Sequence, residues 1–232
     1  TPVDSFPSIA STVRANPTAG FSIVSYTAGG VDASIGHNLN AKPELIIVKG
    51  RTNVDGWAVQ HVSLGSTNRL RLNTADASQA LSGYWNDTDP TSSVFHVGGD
   101  AATSGNNVDY IAYCFAPVEG YSAFGSYTGN GSADGPFVYT GFKTRWLMIK
   151  SSSHSGEDWL ILDTARDTHN DGDSSALYAS LSHADNSTSA ITTDILSNGF
   201  KCIGTNAATN ASGYTYIYAA FAENPFKTAR AR

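Results

Sequence analysis

Charge is scarce in this chain. Only 15% of its 232 residues are Asp, Glu, Lys or Arg, the net charge is −6, and no basic run occurs. Phosphate backbones are bound through clustered Lys and Arg, so the composition argues against a nucleic-acid partner. Cysteine is scarce too. Cys114 and Cys202 each sit in an apolar, strand-like run, which reads as two buried thiols. A disulfide between them would need a geometry that spacing does not supply. No stretch approaches the ~20 apolar residues of a membrane span, so no membrane insertion is expected. No signal peptide is visible, and the chain begins at Thr1 and not Met, which reads as a fragment or a processed product.

Catalytic signatures are also missing. There is no Gly-x-Ser-x-Gly elbow, no P-loop and no His-Glu-x-x-His. Gly129-Asn130-Gly131-Ser132-Ala133-Asp134 misses the dinucleotide fingerprint at its last position and has no helix behind it. The histidines His37, His61, His96, His154, His169 and His183 are dispersed, with no metal-ligand spacing. The chain is therefore not expected to be an enzyme. A Ser-His-Asp triad is recognised by geometry and not by order, so that alternative stays open.

What the sequence does have is a repeat. Gly20-Phe21-Ser22-Ile23-Val24-Ser25-Tyr26-Thr27 returns as Gly120-Tyr121-Ser122-Ala123-Phe124-Gly125-Ser126-Tyr127-Thr128. Pro43 to Lys49 returns as Thr144 to Lys150, and Tyr110 to Ala116 as Tyr216 to Ala222, in the same order. A tandem duplication of this kind decides the architecture. It also bears on function, because a catalytic site is usually unique whereas adhesive and structural modules are often duplicated. Hydrophobic residues make up 41% of the chain, enough for a folded core. Short runs with strand character recur: Phe21 to Thr27, Leu45 to Lys49, Trp57 to Val62, Val94 to Gly98, Asp109 to Ala116, and their second-copy counterparts. In Asp109 to Ala116, Tyr110, Ala112 and Cys114 face one way and Ile111, Tyr113 and Phe115 the other. Gly129-Asn130-Gly131 predicts a hairpin, and Ser174 to Leu181 is the best helix candidate. The expected fold is all-β: two tandem pseudo-repeats forming packed antiparallel β-sandwich, jelly-roll-like units. The boundaries are an extended lead-in at 1–19, repeat one at 20–118, repeat two at 119–226 and a tail at 227–232.

Two stretches carry candidate sites. Tyr84-Trp85-Asn86-Asp87-Thr88-Asp89-Pro90 sets an aromatic face beside Asn and Asp, the pairing by which glycans are commonly held. Tyr84, Trp85, Asn86, Asp87 and Asp89 are the expected ligand contacts; the alternative is that Trp85 is a core plug under the loop. Trp57 and Trp159 occupy matching positions and read as core, and Trp146 lies in a strand expected to be buried. Asp167-Thr168-His169-Asn170-Asp171-Gly172-Asp173 concentrates oxygen ligands, so Asp167, Asp171 and Asp173 are candidate Ca2+ ligands. The order does not match an EF-hand, and a solvated turn is the alternative.

Taken together, Gly20 to Thr27, Pro43 to Lys49, Gly125-Ser126-Tyr127-Thr128-Gly129-Asn130-Gly131 and Tyr216 to Phe226 resemble a duplicated domain of uncharacterised function. That domain is found in the C-terminal region of tail fibre and tail-like virion proteins of tailed, often marine, bacteriophages. The resemblance covers about residues 20 to 232. It implies a virion surface or extracellular location and a place in a tail fibre or tailspike. It carries over no catalytic or binding residue, and repeat one departs from the pattern at Thr27-Ala28-Gly29-Gly30. The expected role is host-surface adhesion through a glycan or protein, by a homotrimer or polymer whose linked sites gain avidity. The rivals are a purely structural fibre or capsid repeat, a cellular lectin-like module, and a polysaccharide depolymerase, for which Asp87, Asp89, Asp163 and Asp167 are the acids to compare.

Overall fold

The structure is a computed structural model that describes residues 6–168, 170, 172, 174–188 and 191–224, with only the backbone at 186–188. It is all-β, built from antiparallel sheets packed together, and it divides into two compact units. The first holds the chain up to Leu72 together with Ser78–Pro117. The second holds Asn73–Ala77 and the chain from Val118 onward.

The first unit contains β1 (Ser11–Asn16), β2 (Phe21–Ala28), β3 (Ala33–Gly36), β4 (Leu45–Gly50), β5 (Ala58–His61), β6 (Asn68–Arg71), β7 (Gln79–Ala80), β8 (Val94–Val97) and β9 (Val108–Phe115). Two single-turn helices, α1 (Ser82–Trp85) and α2 (Ala101–Ser104), join them. Its main sheet has the order β1-β2-β9-β4-β5-β6-β7, and β3 and β8 form a second sheet. Successive strand residues point to opposite faces, and the sequence of β9 uses this fully. Tyr110, Ala112 and Cys114 are buried while Val108, Asp109, Ile111, Tyr113 and Phe115 are partly exposed. The inward set meets Val24, Tyr26 and Ala28 of β2, Ile46 and Val48 of β4, and Ile35, Phe95 and Val97 of the small sheet in one core.

The second unit contains β10 (Ser122–Thr128), β11 (Phe137–Tyr139), β12 (Thr144–Ser151), β13 (Leu160–Asp163), β14 (Ser174–Tyr178), β15 (Asn186–Thr188), β16 (Thr193–Leu196), β17 (Gly199–Cys202) and β18 (Thr215–Ala222), with the single turn α3 (Ala207–Asn210). Its sheets run β10-β18-β12-β13-β14-β15 and β11-β17-β16. The order β2-β9-β4-β5-β6-β7 of the first unit is therefore repeated strand for strand. The likeness extends to single atoms. Tyr26 Oη donates to Thr103 O and Tyr127 Oη to Thr209 O, both at 2.8 Å. Tyr26 stacks on Tyr110 with centroids 5.2 Å apart, and Tyr127 on Tyr216 at 5.0 Å, each at 15°. Offset stacks of this kind add about 0.5–1.5 kcal/mol beyond area burial. Asp100 and Asn206 cap α2 and α3, accepting from Ala102 N and Ala208 N at 2.8 Å.

Four local expectations are corrected. The lead-in is not merely a linker, because Ser11–Asn16 forms β1 along β2 with Val13 opposite Val24. Upstream, Ser8 N donates to Ser34 O at 2.9 Å, tying the lead-in to β3. Ser174–Tyr178 is a strand and not a helix, since pairing with β13 and β15 overrides the helix propensity of Ala176 and Leu177. Gly129-Asn130-Gly131 does not close a hairpin: β10 and β11 lie in different sheets. The loop is instead stapled to fully buried Asn210, whose Oδ1 accepts from Asn130 N at 2.9 Å and whose Nδ2 donates to Ser132 O at 2.8 Å. Trp57 and Trp146 are half-buried, outside the core, whereas Trp159 is buried.

Candidate functional site

The loop expected to bind a ligand turns its aromatics inward. Tyr84 and Trp85 are both 0% exposed and belong to the core of the first unit, so neither ring face is available to a sugar. The reason is local. α1 ends with Asn86 and Asp87 at φ 52° and 45°, a left-handed exit that sends the polar residues outward and leaves the rings behind. Tyr84 is then fixed by both neighbours on β6: Arg69 Nη1 and Arg71 Nε each donate to its Oη at 3.1 Å. The ligand assignment of Tyr84 and Trp85 is thus corrected to a core role. Asn86 and Asp87 are exposed but stand apart from any aromatic platform they were meant to flank.

Asp89 stands elsewhere, on the rim of a shallow cleft of about 240 Å3, open mouth included, beside β4 and β5. Lys42 Nζ lies 2.9 Å from Asp89 Oδ2, Ser66 Oγ donates to Asp89 Oδ1 at 2.6 Å, and Gln60 Nε2 donates to Ser66 Oγ at 2.7 Å. The hydrogen bond from Ser66 and then the pairing with Lys42 hold Asp89 below the usual carboxylate range. Across the cleft, burial pushes Glu44 up, with Lys42 acting against it. Gln60 is 4% exposed and its Oε1 has no hydrogen-bond partner among the described residues. Carboxyls pushed in opposite directions are the arrangement acid–base chemistry uses. Against that use, both oxygens of Asp89 are already engaged.

The remaining acids are accounted for separately. Desolvation alone would raise Asp163, but Arg166 and the amides of Arg166 and Ala165 outweigh it and hold the carboxyl down. Arg166 Nε lies 2.7 Å from Asp163 Oδ2, and its Nη1 reaches Asp185 Oδ1 at 2.9 Å. Asp167 is half-exposed, whereas Asp171 and Asp173 lie outside the described residues. Among the described residues no three His, Cys, Asp or Glu side chains gather as a metal site. The thiols of Cys114 and Cys202 are free and buried, pushed up by desolvation to about 12 and about 11, so neither is a nucleophile at neutral pH.

The aromatic platform lies in the second unit, where the sequence reading did not place it. On β11, Phe137 and Tyr139 are 46% and 67% exposed while Val138 between them enters the core. Register sets Phe137 beside Lys201 of β17, and Lys201 beside Asp194 of β16; Tyr139 faces Gly199, which faces Leu196. Cross-strand partners share a face. The outer surface of this small sheet thus carries two aromatic rings, one aliphatic chain, a cation and a carboxyl. Lys201 is also paired with Asp134 from the loop before β11. Phe137 Cε2 lies 3.1 Å from where a Cβ would stand on Gly199, so the missing side chain lets the ring lie across β17. The signal for this face was present as alternation in Phe137-Val138-Tyr139, but a three-residue run is too short to be read as a strand by periodicity alone.

A family model described as Domain of unknown function (DUF7483) matches residues 4–225. No curated protein and no solved structure matches the chain.

Proposed function

The chain belongs to the DUF7483 family, and we propose that it is an adhesion module of a virion appendage, a tail fibre or tailspike, that binds a host-surface glycan. The observation that carries this reading is the outward pair Phe137 and Tyr139, set on one strand beside Lys201, Asp134 and Asp194. Apolar ring faces pack on sugar C–H groups, and a few flanking polar groups orient the hydroxyls. Exposed apolar surface rimmed by polar residues is what marks an interaction site. The virion setting is supported by the resemblance of the repeated motifs to phage tail proteins. Calcium, if bound, would belong to the 167–173 loop and not to this face.

The test is a screen of the intact chain on an array of neutral and acidic oligosaccharides, followed by Phe137→Ala and Tyr139→Ala on whatever is bound. Tyr139→Ala, at the more exposed position, should change stability by no more than about 0.5 kcal/mol, and each substitution should weaken binding at least about tenfold. Full binding by the double variant would overturn the assignment of the site.

A second reading, glycan cleavage, draws on Glu44 and Asp89, two carboxyls that line one cleft. Release of reducing ends by the wild type and not by Glu44→Gln would establish it. Absence of release from every bound glycan would remove it.

A further inference from the structure

We propose that Asn198 is a site of self-modification, converting spontaneously to isoaspartate, and that the conversion releases β11 from β17. The chain contains two Asn-Gly pairs, Asn130-Gly131 and Asn198-Gly199. In such a pair the next backbone nitrogen can attack the asparagine's own side-chain carbonyl carbon, because glycine has no Cβ to obstruct the approach. The structure treats the two pairs oppositely. Asn130 is exposed, but its amide is held: Oδ1 accepts from Ser132 N at 2.9 Å and from Asn210 Nδ2 at 3.2 Å, and Nδ2 donates to Asp134 O at 2.9 Å. The nitrogen that would attack, Gly131 N, donates to Asn210 O at 3.0 Å. Ring closure there has to break these bonds first. Asn198 is exposed in the two-residue turn Ser197-Asn198 between β16 and β17, and its side chain makes no hydrogen bond among the described residues. Gly199 pairs with Leu196 as the last rung of that hairpin, and the end of a ladder opens first.

The glycine cannot be exchanged to remove the hazard. A Cβ on Gly199 would stand 2.1 Å from Val138 O, so the packing of β11 on β17 keeps the reactive pair in place. In the reaction Gly199 N gives up its proton to solvent and bonds to Asn198 Cγ. The Cγ–Nδ2 bond breaks, and ammonia leaves with a proton taken from solvent. Water then opens the cyclic imide. Where it breaks the bond between Gly199 N and the main-chain carbonyl carbon of residue 198, the chain runs on through Cγ, one carbon longer. A carboxylate then stands where the main-chain carbonyl was. That carbonyl holds the end of β11, accepting from Thr140 N at 3.0 Å and from Gly141 N at 3.2 Å. The lengthened turn also takes Gly199 out of register with Leu196, and Gly199 is the partner of Tyr139. The chemistry at Asn198 is independent of any ligand. Its consequence for adhesion, a limited working life for the face of Phe137 and Tyr139, rests on the glycan reading.

The experiment is peptide mapping by mass spectrometry on the intact folded chain after storage in warm, mildly alkaline buffer. An isoaspartyl methyltransferase marks isoaspartate, and hydrogen exchange at Thr140 and Gly141 is followed in the converted fraction, separated by its added negative charge. No glycan is used, so failure of the glycan reading leaves the result untouched. The Asn198 peptide should gain the mass of amide-to-acid conversion and accept methyl groups, while the Asn130 peptide stays unchanged. Thr140 and Gly141 should exchange faster in the converted fraction. In denaturant both peptides should convert at similar rates, since the fold alone separates them. Asn198→Gln, whose longer side chain closes its ring far more slowly, should keep its mass and its protection over the same storage. An unconverted Asn198 in the folded chain overturns the proposal, and so does equal conversion at Asn130. Conversion without faster exchange at Thr140 and Gly141 overturns the release of β11. Faster exchange in stored Asn198→Gln overturns it as well, because the loosening then has another cause.

Discussion

Tyr110 and Tyr216 each satisfy two backbone groups with one hydroxyl. Tyr110 Oη accepts from Gly105 N at 2.7 Å and donates to Ala101 O at 2.6 Å; Tyr216 Oη accepts from Ala211 N at 2.8 Å and donates to Ala207 O at 2.6 Å. A helix of one turn cannot satisfy its own ends, and the hydroxyl does it for both α2 and α3. Phenylalanine keeps the ring and leaves an N–H and a C=O without a partner, so Tyr110→Phe and Tyr216→Phe should each cost about 1–3 kcal/mol in denaturant melts. Equal stability to wild type would mean that water replaces the hydroxyl. Trp85 is the residue whose role the sequence could not settle. Its neighbours Asn86 and Asp87 suggest a ligand, and only the pair of arginines holding Tyr84 and the left-handed turn at Asn86 show that the ring faces inward. Trp85→Ala should therefore cost about 3–5 kcal/mol, and a melting temperature within a few degrees of wild type would return Trp85 to the surface. Lys150 is invisible as a special residue in the sequence. It is fully buried, its Nζ donating to Ser151 O at 2.8 Å, and desolvation pushes it down to about 8 against the pull of Asp158, Glu157 and Asp76. An unfolded lysine titrates near about 10.4, so between pH 8 and that value the unfolded chain holds more protons, and stability rises with pH from this group. Relative to Lys150→Met, the wild type should gain stability as pH goes from about 7.5 to about 10. A gap that stays constant would place the ammonium in water.

At the level of elements, the strands were legible as short apolar runs bounded by turn residues, and in Asp109 to Ala116 as alternation. Leu45 to Lys49 becomes β4, Val94 to Gly98 becomes β8, and Asp109 to Ala116 becomes β9, each within a residue or two. What was not legible is what depends on partners. Ser11–Asn16 has no strand pattern of its own, with four of its six residues exposed, and is a strand because β2 offers an edge. β14 carries helix formers and is a strand because it lies between two others. The face on β11 depends in the same way on β17. Gly199 brings its own backbone against Val138 O, and a Cβ there would also meet the Phe137 ring. Gly199→Ala should therefore push β11 away from β17 and remove the Phe137–Tyr139 surface while the main sheet stays intact. The check is a loss of glycan binding with an unchanged far-UV spectrum. Retained binding would mean that the ring pair does not need its strand.

The whole molecule is one architecture used twice with different trimmings. Each unit has its own core, and the two tyrosine stacks, capped helices and strand orders correspond, while the exposed aromatic face on β11 belongs to the second unit. Duplication followed by divergence of edges and faces leaves the folding logic intact and frees surfaces for other work. The charge of the chain says what kind of work. With a net −6 and no basic cluster, attraction over a distance to an anionic surface is not available. Contacts made by ring faces and short hydrogen bonds are formed at close range, inside the distance over which salt screens. Binding of a neutral oligosaccharide should accordingly change less than about twofold between about 50 and 500 mM salt, measured by calorimetry on the intact chain. A steep loss of affinity with salt would instead place an ion pair, with Lys201 as its cation, at the centre of recognition, and the rings would then be its surround.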